Sequence, residues 1–202
     1  MDIERIVVGL LQVNCYLVSN PAAGACLVID PGDNATDVTA KIRNRDLEPV
    51  GILLTHAHVD HIRAVGALSR TFDIPVMLNA ADGDLYRSPD NALAPWAPAA
   101  TDLPETGTVR DDLDGLSFTV IHTPGHTPGG VCYYFPAAGA LFSGDTLFRE
   151  SIGRTDLPGG NHSQLIESIR RNLLPLPGET RVLPGHGPET TIRDEADKNP
   201  YL

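Results

Sequence analysis

Three histidines and one aspartate lie close together in residues 55–61, Thr-His-Ala-His-Val-Asp-His. The segment directly follows the apolar run 50–54, which predicts a strand buried on both faces. His56 and His58 are two residues apart, so their side chains point the same way in an extended chain. A helix beginning near Asp60 would place the aspartate and the last histidine on its first turn. Imidazole and carboxylate groups with this spacing bind divalent cations, so the segment predicts a metal site.

Four other short motifs could contribute to the same site. Asp30 ends an apolar, strand-like run, and the other three are Thr-Pro-Gly-His ending at His126, Ser-Gly-Asp ending at Asp145 and Pro-Gly-His ending at His186. Together with residues 55–61, and in this order along the chain, they resemble the motifs of the metallo-β-lactamase superfamily. The resemblance implies an α/β fold, the four-layer αββα sandwich, with metal ions held by loops along one edge of the sheets.

An internal comparison predicts that this sandwich has two related halves. Pro-Ala-Ala-Gly-Ala occurs at 21–25 and again at 136–140, each time after a Cys-Tyr pair and before a strand that ends in an aspartate. A helical stretch and a strand ending in a histidine follow in both halves. We therefore expect the halves to superpose by a rotation near two-fold, with Asp30 and Asp145 at equivalent strand ends.

Seven metal-binding side chains exceed the needs of one tetrahedral ion, which favours two adjacent divalent ions. The resemblance implies three ligands for the first metal, three for the second and one bridge: His56, His58 and His126; Asp60, His61 and His186; and Asp145. It also implies that Asp30 fixes a histidine or a loop without binding metal. Zinc is the first choice, and iron or manganese is compatible with these nitrogen and oxygen donors.

Hydrolysis is the chemistry that such a centre predicts, with Asp60 and Asp145 as catalytic ligands. Two cations flanking a water lower its pKa from about 15.7 towards about 7, giving a metal-bound hydroxide that attacks a carbonyl polarised by a metal. A nucleophilic serine is not required, and Ser143 has no matching general base in the sequence. His122 and His162 fall outside the motifs and are interpreted as structural.

The segment 153–160, Gly-Arg-Thr-Asp-Leu-Pro-Gly-Gly, and the final Asn-Pro-Tyr-Leu resemble the compact branch of the glyoxalase II family. Those enzymes are hydroxyacylglutathione hydrolases that cleave thioesters such as S-D-lactoylglutathione. The resemblance implies that Arg154 binds substrate. Larger members place a tyrosine after the final metal histidine, where this chain has Gly187, and an aromatic residue near Asp156.

Three alternatives remain open at this point. An iron-dependent persulfide dioxygenase, a related branch, resembles the chain in its Gly-Arg-Thr-Asp segment and uses one iron held by two histidines and an aspartate. A β-lactamase is less favoured, because the ligand set contains Asp60 and no cysteine. A non-catalytic metal-binding or interaction module belongs to a different class, and the complete ligand set argues against it.

Composition and charge restrict the partners. The chain has 202 residues, enough for one domain with a substantial core, and we expect a single domain over residues 1–202. A net charge of −11 disfavours nucleic acid as a partner, and no stretch reaches membrane-spanning length.

The N-terminus and the cysteines indicate the compartment. Asp2 and Glu4 stand where a secretory signal would carry basic residues. Three irregularly spaced cysteines indicate buried, reduced thiols and a cytoplasmic protein. The expected partner is a small-molecule thioester, and the oligomeric state is left open.

Periodicity predicts the remaining elements. Strands are expected at 3–8, 15–19, 25–30, 50–55, 75–78, 116–121, 131–135, 140–144 and 180–183. One helix is expected from about residue 60 to 72 and another over 163–174, with its core-facing stripe at Leu165, Ile169 and Leu173. Residues 80–107 are expected to form an irregular loop, functional or mobile, with Trp96 either part of that function or packed into the core.

Overall fold

The computed structural model describes residues 1–22, 24–108, 111–113 and 115–202. A first sheet has six strands in sequence order, β1 to β6, at Asp2–Val8, Val13–Ser19, Ala25–Ile29, Glu48–Leu53, Val76–Met77 and Thr106–Gly107. Strands β1 to β3 pair antiparallel, whereas β3 to β6 pair parallel. Strands β2 and β3 are buried along their whole length, as expected of strands covered on both faces.

The second sheet is built from the later part of the chain. After a small hairpin of β7 and β8 (Asp112–Leu113 and Leu116–Ser117), strands β9 to β15 lie at Thr119–His122, Val131–Phe135, Ala140–Gly144, Leu147–Phe148, Ser151–Ile152, Arg181–Pro184 and Thr190–Thr191. The order in this sheet is β15-β14-β11-β10-β9, and β12 pairs with β13 as a separate hairpin. Strands β11 and β14 are parallel neighbours.

Helices α1 to α6 lie at Ala35–Asn44, Val59–Ile62, Val65–Phe72, Gly83–Arg87, His162–Ser168 and Ile192–Lys198. Helix α5 continues as a π-helical segment, Ile169–Leu173, and its predicted stripe of Leu165, Ile169 and Leu173 is fully buried. The single helix predicted over 60–72 is wrong. The chain forms α2 and α3 with a turn between them, because Ala64 N donates to the carbonyl of Pro31 (3.0 Å) and leaves the helical pattern. Within the described residues, no helix is long and apolar enough to cross a membrane.

Three apolar cores separate four layers. The middle core joins the inner faces of the two sheets through side chains such as Leu27 and Leu53 on one side and Tyr133 and Phe142 on the other. The first outer core packs α1, α2 and α3 against the first sheet. The second outer core packs α5, its π-helical extension and α6 against the second sheet. The predicted αββα sandwich is confirmed.

Topology relates the two halves of the sandwich. Strands β2, β3 and β4 are matched by β10, β11 and β14, since each set has an antiparallel pair, a helical crossover and a parallel partner. Asp30 follows β3 and Asp145 follows β11, so the prediction of equivalent strand ends is confirmed. Gly24 and Gly139 both have positive φ (71° and 55°) in the corresponding connections. Ala23 of the first repeated segment lies outside the described residues, and superposition by a two-fold rotation stays a prediction.

The segment 80–107 is more regular than expected. It contains a 3₁₀ turn at Ala80–Asp82, helix α4 and a second 3₁₀ turn, Pro89–Asn91. The prediction of an irregular loop missed these short helices, which end-capping side chains stabilise. Asn79 and Ser88, for example, each accept a hydrogen bond from a backbone N–H of the turn that follows. Trp96 is 59% exposed, which rules out its packing into the core.

Candidate metal centre

Four loops supply five of the seven predicted ligands, and the first turn of α2 supplies Asp60 and His61. The carboxyl ends of β4, β11 and β14 lead to His56, Asp145 and His186, and the connection between β9 and β10 carries His126. Parallel neighbours end at the same edge of a sheet, so the loops of both halves meet there, as ligand sites in α/β proteins commonly do. The sequence segments that looked remote are therefore adjacent in space.

All seven side chains are brought together at this edge. Nδ1 of His58 lies 2.9 Å from Nε2 of His126, and Nε2 of His186 lies 3.2 Å from Oδ2 of Asp60. Two of the compact donor groups found among the described residues match the two predicted sets: His56, His58 and His126, and Asp60, His61 and His186.

Asp145 lies between these two groups. Its Oδ1 is 3.3 Å from Nε2 of His61, and its Oδ2 is 3.7 Å from Nε2 of both His126 and His186. A carboxylate can contact two cations through its two oxygens, so this position is the one that a bridging ligand requires.

Hydrogen bonds on the far side of the rings determine which nitrogen of each histidine faces the centre. Four histidines use Nδ1 outside the centre: His56 contacts Thr55 Oγ1 (3.0 Å), His61 contacts Asp30 Oδ2 (3.0 Å), His126 contacts the carbonyl of Arg154 (2.7 Å) and His186 contacts the carbonyl of Leu11 (3.0 Å). Their Nε2 atoms point inward, whereas His58 presents Nδ1. Such partners fix ring orientation and tautomer in metal sites.

Asp30 has its predicted supporting position. Its Oδ1 accepts a hydrogen bond from Thr55 N (2.8 Å), and its Oδ2 accepts one from Thr55 Oγ1 (2.6 Å) and contacts Nδ1 of His61. A third donor group does combine Asp30 with His56 and His61. Both Asp30 oxygens already have donors, however, which favours a role in orienting His61 over one in metal binding.

The residues present fit a bound cation. Buried polar atoms are almost always hydrogen-bonded. Within the described residues, four buried side-chain atoms have no partner: His56 Nε2, Asp60 Oδ1, His61 Nε2 and Asp145 Oδ1. All four belong to the predicted ligand set. Without a cation these atoms would be buried at a cost of about 1–3 kcal/mol each, so metal coordination accounts for them.

The pKa values differ sharply within the cluster. Burial lowers the pKa of His56 well below its usual value and that of His58 to about 3, with neighbouring histidines adding to the effect. Burial acts in the same direction on His61, but Asp145, Asp60 and Asp30 outweigh it and raise its pKa. Burial alone would raise the pKa of Asp145, and His61 more than offsets this and holds it well below the usual range. His56 and His58 are therefore neutral and Asp145 is ionised, the forms that bind cations, whereas His61 would release its proton when a cation binds.

Asp82 is a site residue that the sequence did not indicate. It is fully buried, and it accepts hydrogen bonds from Ala57 N (3.1 Å), Thr127 Oγ1 (2.8 Å) and Gly129 N (2.5 Å). Burial raises the pKa of Asp82, and these three donors oppose the shift. An isolated aspartate in residues 80–107 has no motif around it, so no sequence signal could have identified it.

Arg154 contacts the centre through its backbone, and its predicted role in binding substrate stays a prediction. Its carbonyl holds His126, while its guanidinium forms two 2.8 Å contacts with Asp156 and its side chain is half exposed. Ser143 Oγ donates to the carbonyl of Leu147 (2.7 Å), consistent with its predicted lack of a general base. His122 and His162 are exposed and lie outside the donor groups found among the described residues.

Two clefts flank the centre. A small one of about 40 Å³ lies beside Asp60 and is lined by apolar side chains that include Leu10, Leu11 and Trp96, with Arg63 at its wall. A larger one of about 400 Å³ lies beside His186. Phe148, Arg149, Gly187 and Pro188 are among the residues that line it.

Comparison with known proteins agrees with this geometry. Residues 8–186 match the sequence profile of the metallo-β-lactamase superfamily. YqgX of Bacillus subtilis, named as a probable metallo-hydrolase, is 41% identical to this chain. The alignment covers 100% of this chain and 98% of YqgX. The hydroxyacylglutathione hydrolase GloC of Haemophilus influenzae is 38% identical, with 100% of this chain and 98% of that protein covered.

Solved structures show the same likeness. A di-iron-bound form of TTHA1623 has a TM-score of 0.88 and 44% identity, covering 98% of this chain and 100% of that one. BLEG-1, described as a B3 metallo-β-lactamase, has a TM-score of 0.85 and 40% identity to this chain. The match covers 100% of this chain and 99% of BLEG-1.

Proposed function

This chain belongs to the metallo-β-lactamase superfamily and is a metal-dependent hydrolase, and from that premise we propose that it cleaves a small acyl thioester, most simply a hydroxyacylglutathione such as S-D-lactoylglutathione. The observation that carries the proposal is the convergence of seven side chains with nitrogen and oxygen ligand atoms. Four of their buried atoms lack a hydrogen-bond partner within the described residues. GloC, similar over the whole chain, is named for this activity.

Neither Ser143 nor the three cysteines is an activated nucleophile beside the centre. The Ser143 hydroxyl donates to a backbone carbonyl, and all three cysteines are buried. Burial raises the pKa of Cys132 to about 11 and that of Cys26 to about 12, so these thiols are not activated. A hydrolytic reaction here therefore depends on water rather than on a covalent enzyme intermediate.

Divalent cations bound by the seven ligands would supply Lewis acidity, which polarises a carbonyl and lowers the pKa of water. The chain's own contribution is orientation. Asp60 and Asp145 each offer one buried oxygen without a protein donor, and these are the oxygens that would hold the cations. Both carboxylates have pKa values held below their usual range, because the neighbouring histidines more than offset burial. They therefore remain ionised at neutral pH.

The cleft beside Asp60 supports a small acyl group. A site of about 40 Å³ accommodates roughly three water-sized groups, since about 10–15 Å³ suffices for one. Its walls are mainly apolar, with Leu10, Leu11 and Trp96 contributing side chains. The five non-hydrogen atoms of a lactoyl group would fill this cleft and reach its mouth, whereas a long acyl chain would have to extend far over the exposed faces of Leu10 and Trp96.

The larger cleft beside His186 supports the position of the thiol carrier. Its volume of about 400 Å³ exceeds that of the acyl cleft, and Arg149 lies at its edge. A thiolate is a good leaving group, because the thiol pKa is about 8.5 and little protonation is needed. Arg154 remains the candidate residue for binding a carboxylate of the thiol carrier. That carboxylate would replace Asp156 as the partner of the guanidinium.

The three free, buried cysteines support a reducing compartment, and we assign the protein to the cytoplasm. Zinc is the proposed metal. The di-iron form of TTHA1623 makes iron the main competitor, since the ligand types serve both ions.

The test is thiol release from S-D-lactoylglutathione by protein of measured metal content, loaded separately with zinc, iron and manganese. Oxygen uptake with glutathione persulfide and hydrolysis of a β-lactam are measured on the same samples. We expect thioester cleavage to exceed the other two. Oxygen uptake without cleavage would assign a persulfide dioxygenase, and β-lactam hydrolysis alone would align the chain with BLEG-1. No activity in any assay at full metal occupancy would favour a metal-binding or interaction module.

A further inference from the structure

The carboxylate of Asp82 joins the two loops that carry the histidines of one donor group. Ala57, which donates to Oδ2 of Asp82, stands between His56 and His58. Thr127, which donates to the same oxygen, directly follows His126. Gly129 N, from the second loop, donates to Oδ1. One buried side chain thus receives hydrogen bonds from both loops.

Two other hydrogen bonds also connect the chain segments that carry these histidines. Val131 N donates to the carbonyl of Thr55 (2.9 Å), and Tyr133 Oη donates to the carbonyl of Leu54 (2.7 Å). Both bonds join the strands at the base of the loops. Asp82 acts beyond them, where the two loops bring Nδ1 of His58 within 2.9 Å of Nε2 of His126.

Packing around Asp82 leaves little freedom. A Cβ at Gly129 would lie 2.5 Å from Asp82 N and 2.7 Å from its Oδ1. The loop can therefore approach Asp82 this closely only with glycine at position 129. Ala57 N, Thr127 Oγ1 and Gly129 N together direct three donors at a carboxylate that is 0% exposed. The carboxylate is therefore held in one place, and the loops are held by it.

We propose that Asp82 is a positioning residue that sets the metal affinity of the His56–His58–His126 group and leaves that of the Asp60–His61–His186 group unchanged. The proposal rests on metal binding at the centre but not on the identity of the substrate. Residues that orient ligands without touching the metal typically change affinity by about 10–100-fold when replaced.

Asp82→Asn is the informative replacement because it keeps the shape and changes the hydrogen bonding. Both carboxylate oxygens accept from donors, one of them from two. An amide has one oxygen and one NH₂, so in either orientation an NH₂ would face a backbone N–H. The two loops would have to separate, and the distance between His58 and His126 would change.

Glu195→Gln is the matched control. Glu195 is also 0% exposed, and it accepts hydrogen bonds from Glu150 N (2.8 Å), Thr190 Oγ1 (2.6 Å) and Asn199 Nδ2 (2.8 Å). It lies in α6 and belongs to none of the donor groups found among the described residues. The two variants therefore remove comparable buried interactions, and only one of them lies between ligand loops.

The experiment measures the stepwise dissociation constants of zinc for the purified full-length protein by competition with a chromophoric chelator, with apo-protein melting temperatures as a measure of folding. We expect Asp82→Asn to weaken one zinc equivalent by about 10–100-fold and to leave the other within about twofold. The retained equivalent should be the one that His186→Ala weakens. Glu195→Gln should lower the melting temperature with both affinities unchanged.

Unchanged affinities in Asp82→Asn would overturn the proposal, and so would equal weakening of both equivalents. If Asp82→Asn does not fold, the variants Thr127→Val and Thr127→Ser test the proposal, because Thr127 Oγ1 donates to Asp82. The valine variant should weaken the same equivalent and the serine variant should restore it, whereas wild-type affinity in both would refute the proposal. A wild-type protein that binds no zinc, iron or manganese would refute the metal centre as a whole, a result distinguishable from all of these.

Discussion

Oδ2 of Asp30 lies 3.0 Å from Nδ1 of His61. Asp30 directly follows β3, in the first half of the fold. The same carboxylate accepts hydrogen bonds from the backbone and hydroxyl of Thr55, so its position is fixed on both oxygens. This directs Nε2 of His61 toward Asp145 at 3.3 Å. An oriented imidazole of this kind is a stronger ligand than a freely rotating one.

Replacing Asp30 with Asn should weaken metal binding at the Asp60–His61–His186 group by about 10–100-fold, because His61 loses its orienting acceptor. The measurement is zinc affinity by chelator competition. Asp37→Asn, at an exposed position in the first turn of α1, is the control and should bind as the wild type does. Equal zinc affinities in Asp30→Asn and the wild type would show that Asp30 has no part in the centre.

Asp145→Ala should reduce kcat/KM for the thioester at least about 100-fold, since the residue lies between the two donor groups and contacts three of the histidines. Activity and zinc content are determined on the same preparation. Asp37→Ala, at an exposed position in the first turn of α1, is the control and should turn over as the wild type does. A variant that retains two zinc ions and full turnover would contradict the bridging role.

Arg154→Ala should raise KM for lactoylglutathione with little change in kcat, because it removes binding made equally in the ground and transition states. Asp156→Asn should act in the opposite direction. It releases the guanidinium from a half-exposed ion pair, so KM should fall by up to about fivefold. Steady-state kinetics at low and moderate salt distinguish the two. If neither variant changes KM, Arg154 contributes only its carbonyl bond to His126.

Trp96 should report directly on the acyl cleft, because it is the only tryptophan and is 59% exposed on the lining of that cleft. We expect its fluorescence emission to be that of a solvated indole and to shift to shorter wavelength when a non-hydrolysed acyl analogue binds. Trp96→Ala should raise KM more for longer acyl chains than for lactoyl. Emission that stays constant at saturating analogue would place the acyl group elsewhere.

The cysteines should resist alkylation at neutral pH. Burial raises the pKa of Cys132 to about 11 and of Cys26 to about 12, and it raises that of Cys15 as well. At pH 8 only about one Cys132 thiol in a thousand is ionised. Labelling by a thiol reagent should be slow in the native protein and fast in urea, and equal rates in both would contradict the burial.

These shifts also set the direction of a pH effect on stability. A thiol has a pKa of about 8.5 in the unfolded chain, and the folded protein keeps it protonated at higher pH. The resulting contribution to the free energy of unfolding is complete below about pH 8.5 and is lost as pH rises towards about 11. Urea titrations at pH 8, 9 and 10 measure it, and Cys132→Ser should flatten the dependence.

The short strands Leu147–Phe148, Ser151–Ile152 and Thr190–Thr191 were not predicted. The histidine cluster at 56–61 is a local signal of metal binding, whereas His126, Asp145 and His186 were assigned through the resemblance of their motifs. Most of the longer strands could be predicted, because apolar runs and alternating patterns are local signals. The strand expected over 25–30, for example, is found at Ala25–Ile29. The division between α2 and α3 could not be predicted, since it depends on a bond from Ala64 to Pro31, in a separate loop. Asp82 could not be identified for the same reason, because its three donors come from residues 57–129. The exposure of Trp96 was open in the sequence and required the three-dimensional path of residues 80–107.

His186 contacts the carbonyl of Leu11, 175 residues earlier in the chain. Strands β1 to β6 can form during synthesis, since the first sheet needs only the first half of the polypeptide. The centre cannot be completed at that stage, because His126, Asp145 and His186 all follow the first sheet along the chain. The complete ligand set therefore exists only after the second sheet has folded against the first.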